Sequence, residues 1–247
     1  MRIRNERLAA RMRAWAKSVG RPALCVVAVH FVLSLSPVSA SADADPVGNS
    51  SAWKLAESRV ESGSEVSVYV ETQKTRGRPA FKVETEFGST PLVAAQTLMA
   101  DMLDESNLPK GQRRKVLARG DHEALVYTSI DLPLMLADRE LALRIVHSEE
   151  SETGIHRVAW KEANEALSAG TAGVVRLEGT NGYWEFRPDG PARTIATYMT
   201  QTEIGGSIPA AIGDRLMKSQ AMEAVERLRG QIATRQRTHV ASGSPSD

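Results

Sequence analysis

From Val66 to Thr202 the chain is a run of segments with alternating apolar and polar residues, joined by short turns, and a single long apolar stripe of helical period follows them. That succession constrains the fold more than any other feature. In Val66-Ser67-Val68-Tyr69-Val70-Glu71-Thr72 alternate residues are β-branched, and Phe81, Val83, Thr85 and Phe87 alternate with Lys82, Glu84 and Glu86. Both are patterns of half-buried strands, with the turn chemistry of Arg76-Gly77-Arg78-Pro79 between them. Pro91 to Leu103 spaces Leu92, Ala95, Leu98, Met99 and Met102 by three and four, as in a helix docking one face. A brief helical stretch is expected around Trp53, Leu55 and Ala56. Further strands are expected at 114–119, 122–130, 138–148, 155–161, 173–187 (broken at Asn181-Gly182) and 192–202. About eight strands joined by short turns make an antiparallel sheet.

The closing helix begins after Glu203-Ile204-Gly205-Gly206, with Ser207 placed to cap it and Pro209 in its first turn. Ile208, Ile212, Leu216, Val225, Leu228 and Ile232 form its apolar stripe. The expected fold class is α+β: a curved antiparallel sheet wrapped around a long C-terminal helix, enclosing an apolar cavity. The expected boundaries are a signal peptide at 1–42, a linker at 43–49, one ligand-binding domain at 50–235 and a disordered tail at 236–247.

The leading segment has its own logic. The basic residues end at Arg21, Ala23 to Leu35 is apolar apart from His30 and Ser34, and Pro37-Val38-Ser39-Ala40-Ser41-Ala42 is rich in small residues. This is the order of a secretory signal peptide, and the apolar run is short of the ~20 residues needed to span a bilayer. Export to the periplasm or beyond is expected, with membrane anchoring as the alternative if the signal is retained. The first 42 residues carry seven of the 31 Lys and Arg and one of the 30 Asp and Glu, leaving 24 bases and 29 acids, net −5. Such a balance argues against a general grip on nucleic acid. Cys25 is the only cysteine, so residues 43–247 have no disulfide, thiolate chemistry or cysteine zinc site.

Several stretches together resemble the START domain, the lipid-transfer domain related to the steroidogenic acute regulatory protein, which has the helix-grip fold. They are Val66-Ser67-Val68-Tyr69, the corner from Leu132-Pro133 to Asp138-Arg139, Val175-Arg176 with Gly182-Tyr183-Trp184-Glu185-Phe186-Arg187-Pro188, and Gly205-Gly206-Ser207-Ile208-Pro209. The resemblance implies a carrier that encloses a sterol, phospholipid or fatty acyl compound beneath its last helix, with transient contact to a membrane surface. Three positions depart from the family pattern. Arg139-Glu140 stands where the family usually has Arg-Asp. Asn107-Leu108-Pro109-Lys110-Gly111 lacks the frequent tryptophan, and Ile145 occupies the place where some members keep a cavity arginine.

Arg139, Leu141, Leu143, Ile145 and His147 share one face of their strand, the apolar one, and are the expected cavity residues. Arg139 has five donors for a carboxylate, phosphate or hydroxyl head group, or else closes the corner through Asp138, Glu140 or a helix residue. His147 is either a ligand contact or a half-exposed strand end. Trp160 and Trp184 are large enough to line a pocket or to fill a core, and Tyr127, Met135, Tyr198 and Met199 are weaker candidates. Gly205-Gly206 is either an anion-binding turn or simply a tight one. Catalysis is disfavoured. His122, His147 and His156 fall on different strands, no serine sits in a nucleophile-elbow sequence, and no side-chain set has metal-ligand spacing. No cofactor and no metal are expected. Two other readings stay open: an enzyme of the polyketide-cyclase or lipid-hydrolase type using His147 or Glu84, and an adaptor with a filled interior. Ligand identity and oligomeric state are not legible.

Overall fold

The computed structural model describes residues 52–72, 80–132, 136–168, 170, 172–203 and 210–242. The expected signal peptide, linker, Met135, the Gly205-Gly206 turn and the Ser207 cap therefore lie outside the described residues. Among the described residues ten strands are present: β1 (Trp53–Glu61), β2 (Ser64–Glu71), β3 (Phe81–Phe87), β4 (Gln112–Arg119), β5 (Glu123–Ile130), β6 (Arg139–Glu150), β7 (Ile155–Glu162), β8 (Val175–Arg176), β9 (Glu178–Pro188) and β10 (Thr194–Glu203). Helix α1 (Pro91–Leu103) follows β3, and α2 (Ala210–Ser242) follows β10. The sheet order is β1-β2-β3-β10-β9-β7-β6-β5-β4, with β8 beside β6. All pairs are antiparallel except β6 with β8.

The long bent sheet follows from its strand chemistry. In β3 every odd residue is buried and every even one is half-exposed, so Phe81, Val83 and Phe87 face inward while Lys82 and Glu84 meet in an ion pair on the outer face. Both helices pack on the inner face, and the main core joins Val66, Val83, Leu141, Leu143, Ile145, Trp184 and Phe186 to Leu98 of α1 and Leu228 of α2. A smaller cluster of Leu125, Ala142 and Ala163 lies apart from it.

Four expectations are corrected. Residues 53–61 form an edge strand instead of a helix. Ser62 and Gly63, both at positive φ, make the tight turn that returns the chain into β2, and this local turn pairs a segment with little apolar periodicity of its own. Asn181-Gly182 does not break its strand, since β9 runs through both, and the interruption falls at Leu177. The last helix continues to Ser242, past the expected boundary at 235. Leu92 lies on the solvent side of α1, because Ala94, Ala95, Leu98 and Met102 set the buried face one position round.

Gly182 stays in the strand for a steric reason. A Cβ there would lie 2.3 Å from the Met199 carbonyl oxygen and 2.5 Å from the Trp160 ring. The bare backbone lets the indole lie across β9, which places Trp160 in the concave face. Gly182→Ala is therefore expected to cost at least ~2 kcal/mol by forcing ring and carbonyl apart. Urea unfolding of the variant checks this, and an unchanged midpoint would contradict the close approach.

Candidate functional site

The concave face carries a row of aromatic rings. Trp184 is central, with ring centroids 4.7 Å from Tyr198, 5.6 Å from Phe186 and 6.0 Å from Phe87, and Trp160 lies 5.8 Å from Tyr198. β9 and β10 bring them together because Trp184 and Tyr198 are directly opposed in register. In β7, beside β9, Val158 is the residue opposed to Trp184. Complete burial pushes the Tyr198 hydroxyl up to about 12, the Thr200 hydroxyl working the other way.

Against this row α2 sets apolar residues, small, flexible and branched together: Ala221, Met222, Ala224, Val225 and Leu228 are all buried. Its flanks are tied down by polar contacts. Lys218 pairs with Glu57 of β1. Arg227 donates to Asp101 of α1 from Nε at 3.0 Å and from Nη2 at 2.5 Å, and Gln231 donates to the same carboxylate. Arg229 donates to the Thr85 hydroxyl at 3.0 Å and to the Glu86 carbonyl at 3.1 Å, and Arg235 reaches Gln96. An apolar stripe ringed by polar ties holds the helix over the sheet.

A cleft bounded by Leu98, Asp101, Arg114, Trp184, Tyr198 and Arg227 encloses about 10 Å³, room for about one water.

Of the residues expected to line the cavity, Leu141, Leu143, Ile145, Trp160 and Trp184 are gathered in the main core beneath the helices. Arg139 begins β6 on the same face, 3% exposed, with its guanidinium donating to the Ala137 carbonyl. Burial lowers its pKa, which Asp138 opposes. Glu140, on the other face, accepts from Arg176 Nη2 at 2.7 Å and Nε at 3.1 Å and from the Tyr127 hydroxyl at 3.2 Å. The glutamate at this corner thereby ties β8 to β6.

Met199 is not brought to this face. It is opposed to Lys82 and Tyr183 on the outer side, between the inward-facing Tyr198 and Thr200. Glu84 is also on the outer side, as its pattern predicts. The acidic segment Glu149–Gly154 is a tight hairpin turn in which the Gly154 amide donates to the Glu150 carbonyl at 2.8 Å. It adjoins Pro188 at the end of β9, away from Glu203, which leads toward α2.

Sequence reasoning missed Arg114, Asp101 and Arg227. Arg114 looks like one more charge in an exposed basic stretch, and only the alternation of Gln112, Arg114 and Val116 along β4 signals that it turns inward. Asp101 and Arg227 are 126 positions apart, a pairing that only the fold makes visible.

His147 lies at the far end of β6, where its Nε2 is 3.1 Å from Nδ1 of His156, and the two rings stack. His122 packs edge-on at 6.4 Å. Among the described residues no group of His, Cys, Asp and Glu is arranged to hold a metal.

No protein-family model matches the chain. An uncharacterised protein of Pseudomonas aeruginosa is 24% identical over 178 residues, 72% of this chain and 85% of that one. Human STARD10 superposes with a TM-score of 0.64 at 16% identity, covering 78% of this chain and 77% of its own. The chain has the START helix-grip fold. A fragment of the STAR-related lipid transfer protein of Xanthomonas axonopodis (TM-score 0.60, 19% identity, 74% of this chain and 99% of that one) shares it. So does human StAR-related lipid transfer protein 5 (0.62, 14%, 76% and 89%). Within this helix-grip frame the aromatic row and the buried face of α2 are facing walls between the sheet and its last helix.

The histidine cluster predicts a pH dependence of stability. Burial, then the neighbouring His156 and His122, hold the His147 pKa below the usual imidazole value, with Glu149 opposing. The unfolded chain takes up this proton near pH ~6.5 and the folded one only below that, so stability falls as pH drops below about 6.5. His147→Gln is expected to reduce the loss of stability between pH ~7.5 and ~5, measured by urea unfolding at both. An equal loss in both proteins would contradict it.

Proposed function

We propose that this protein binds one apolar, lipid-like molecule between the concave face and α2, releases it reversibly at a membrane surface, and works in the cell envelope. The observation that carries the reading is the pairing of an aromatic row, Trp160, Trp184, Phe186 and Tyr198, with a helix that sets Ala221, Met222 and Ala224 beside Val225 and Leu228 and is held by polar ties at its edges. The small Ala221 and Ala224 and the flexible Met222 give this seam side chains that re-pack around an inserted molecule. Burying about 400 Å² of ligand at ~25 cal/mol/Å² supplies about 10 kcal/mol, from which ordering and helix displacement are subtracted. The lipid-transfer names of two neighbours on this fold support the same reading. So does the basic, apolar and small-residue order of the first 42 residues, which directs a chain out of the cytoplasm.

The test is native mass spectrometry of the protein purified from its expressing cells, followed by organic extraction. One apolar adduct per chain, released by solvent, is the expected result. No adduct, together with no binding of a fluorescent fatty acyl or sterol probe, would overturn the reading and favour an interior that is simply filled.

A further inference from the structure

The concave face holds buried donors that lack an acceptor. Arg114 Nε, the Thr128 hydroxyl and Trp160 Nε1 are all sealed from solvent with no hydrogen-bond partner. Arg114 and Thr128 are directly opposed across β4 and β5, and Thr128 is opposed in turn to Leu141 of β6. These two donors are neighbours on the inner face, with Trp160 two strands further along it. Buried polar groups are nearly always satisfied, so two adjoining donors without an acceptor point to a partner that arrives from outside.

The charge around them has a sign. Arg114 is 8% exposed, and its Nη1 donates to two neutral carbonyls, of Asp101 at 2.5 Å and Asp104 at 3.1 Å. The Asp101 carboxylate is taken up by Arg227 and Gln231. The Asp104 carboxylate is taken up by the amides of Ser106 and Asn107 and the Ser106 hydroxyl. Two guanidiniums border the cleft against the Asp101 carboxylate within it, the hydrogen-bonded Asp104 carboxylate also acting on Arg114, and Arg114 shares its wall with Trp184 and Tyr198. Ile145 supplies no charge to this interior, being fully buried among apolar side chains.

We infer that the ligand is an amphiphile with a terminal oxyanion, a carboxylate or phosphate, which accepts from Arg114 Nε and the Thr128 hydroxyl while its hydrocarbon runs over Trp184, Tyr198 and Leu141. This deepens the proposed function and rests on it. A guanidinium already anchored by Nη1 presents Nε in a fixed direction, and a charge-assisted hydrogen bond in a dry site discriminates strongly between an ionised head and a neutral one.

Calorimetric titration of the delipidated full chain with oleate, oleyl alcohol and inorganic phosphate tests this. Oleate is expected to bind at least about tenfold more tightly than oleyl alcohol, which has the same tail and no charge. Arg114→Met should weaken oleate about tenfold or more while leaving oleyl alcohol within about threefold. Thr128→Val, which keeps the side-chain shape, should weaken oleate roughly two- to fivefold and guards against a folding defect in the first variant. Competition of millimolar phosphate with oleate would support an oxyanion pocket at this place. Equal binding of oleate and oleyl alcohol, unmoved by either substitution, would overturn the head-group site and leave the apolar-ligand reading standing. Phosphate binding without oleate binding would overturn the amphiphile in favour of a small anion. Binding of none of the three would overturn both.

Discussion

Everything in this molecule depends on the seam between α2 and the concave face of the sheet. The sheet alone would expose Phe87, Trp160, Trp184, Phe186 and Tyr198 in one contiguous patch, far too apolar to stand in water. The two helices remove that patch from solvent, α1 lying on β7 and β9 and α2 on β3 and β10, and with no thiol after Cys25 this burial has no covalent support. On α2 the seam mixes Ala221, Met222 and Ala224 with the branched Val225, Leu228 and Ile232, and its polar ties run to Glu57, Asp101 and Thr85.

Much of the fold was legible because its signals are local. The alternation in β3 and the helical spacing of Val225, Leu228 and Ile232 in α2 each declare a buried face within a few residues. The inward set on β6, Leu141, Leu143 and Ile145, was readable from the same period of two. Failures came where a neighbour overrode the local pattern. β1 is a strand because the Ser62-Gly63 turn lays it against β2, although its own residues are mostly exposed. Asn181-Gly182 looks like a turn and is instead a steric allowance for Trp160.

The site was legible only on its apolar side. Met199 has the right chemistry and the wrong parity, facing outward from β10. Arg114 has the right parity and was hidden by its surroundings, since Arg113 and Lys115 on either side are exposed. Its meaning comes from contacts across the fold with Asp101 of α1 and Thr128 of β5, which no short window contains. Polar residues inside a largely apolar cleft are few, and their identity carries the specificity that apolar area cannot.

The most direct test of the central claim is hydrogen exchange of the free protein, comparing the amides of 213–238 with those of β9 and β10. Helix α2 is expected to exchange as one unit through an opening well below global unfolding, while the strands stay protected, and Asp101→Asn is expected to accelerate the helix alone. If helix and strands exchange only together, through global unfolding, α2 is a fixed wall of the core and the closable cleft does not exist.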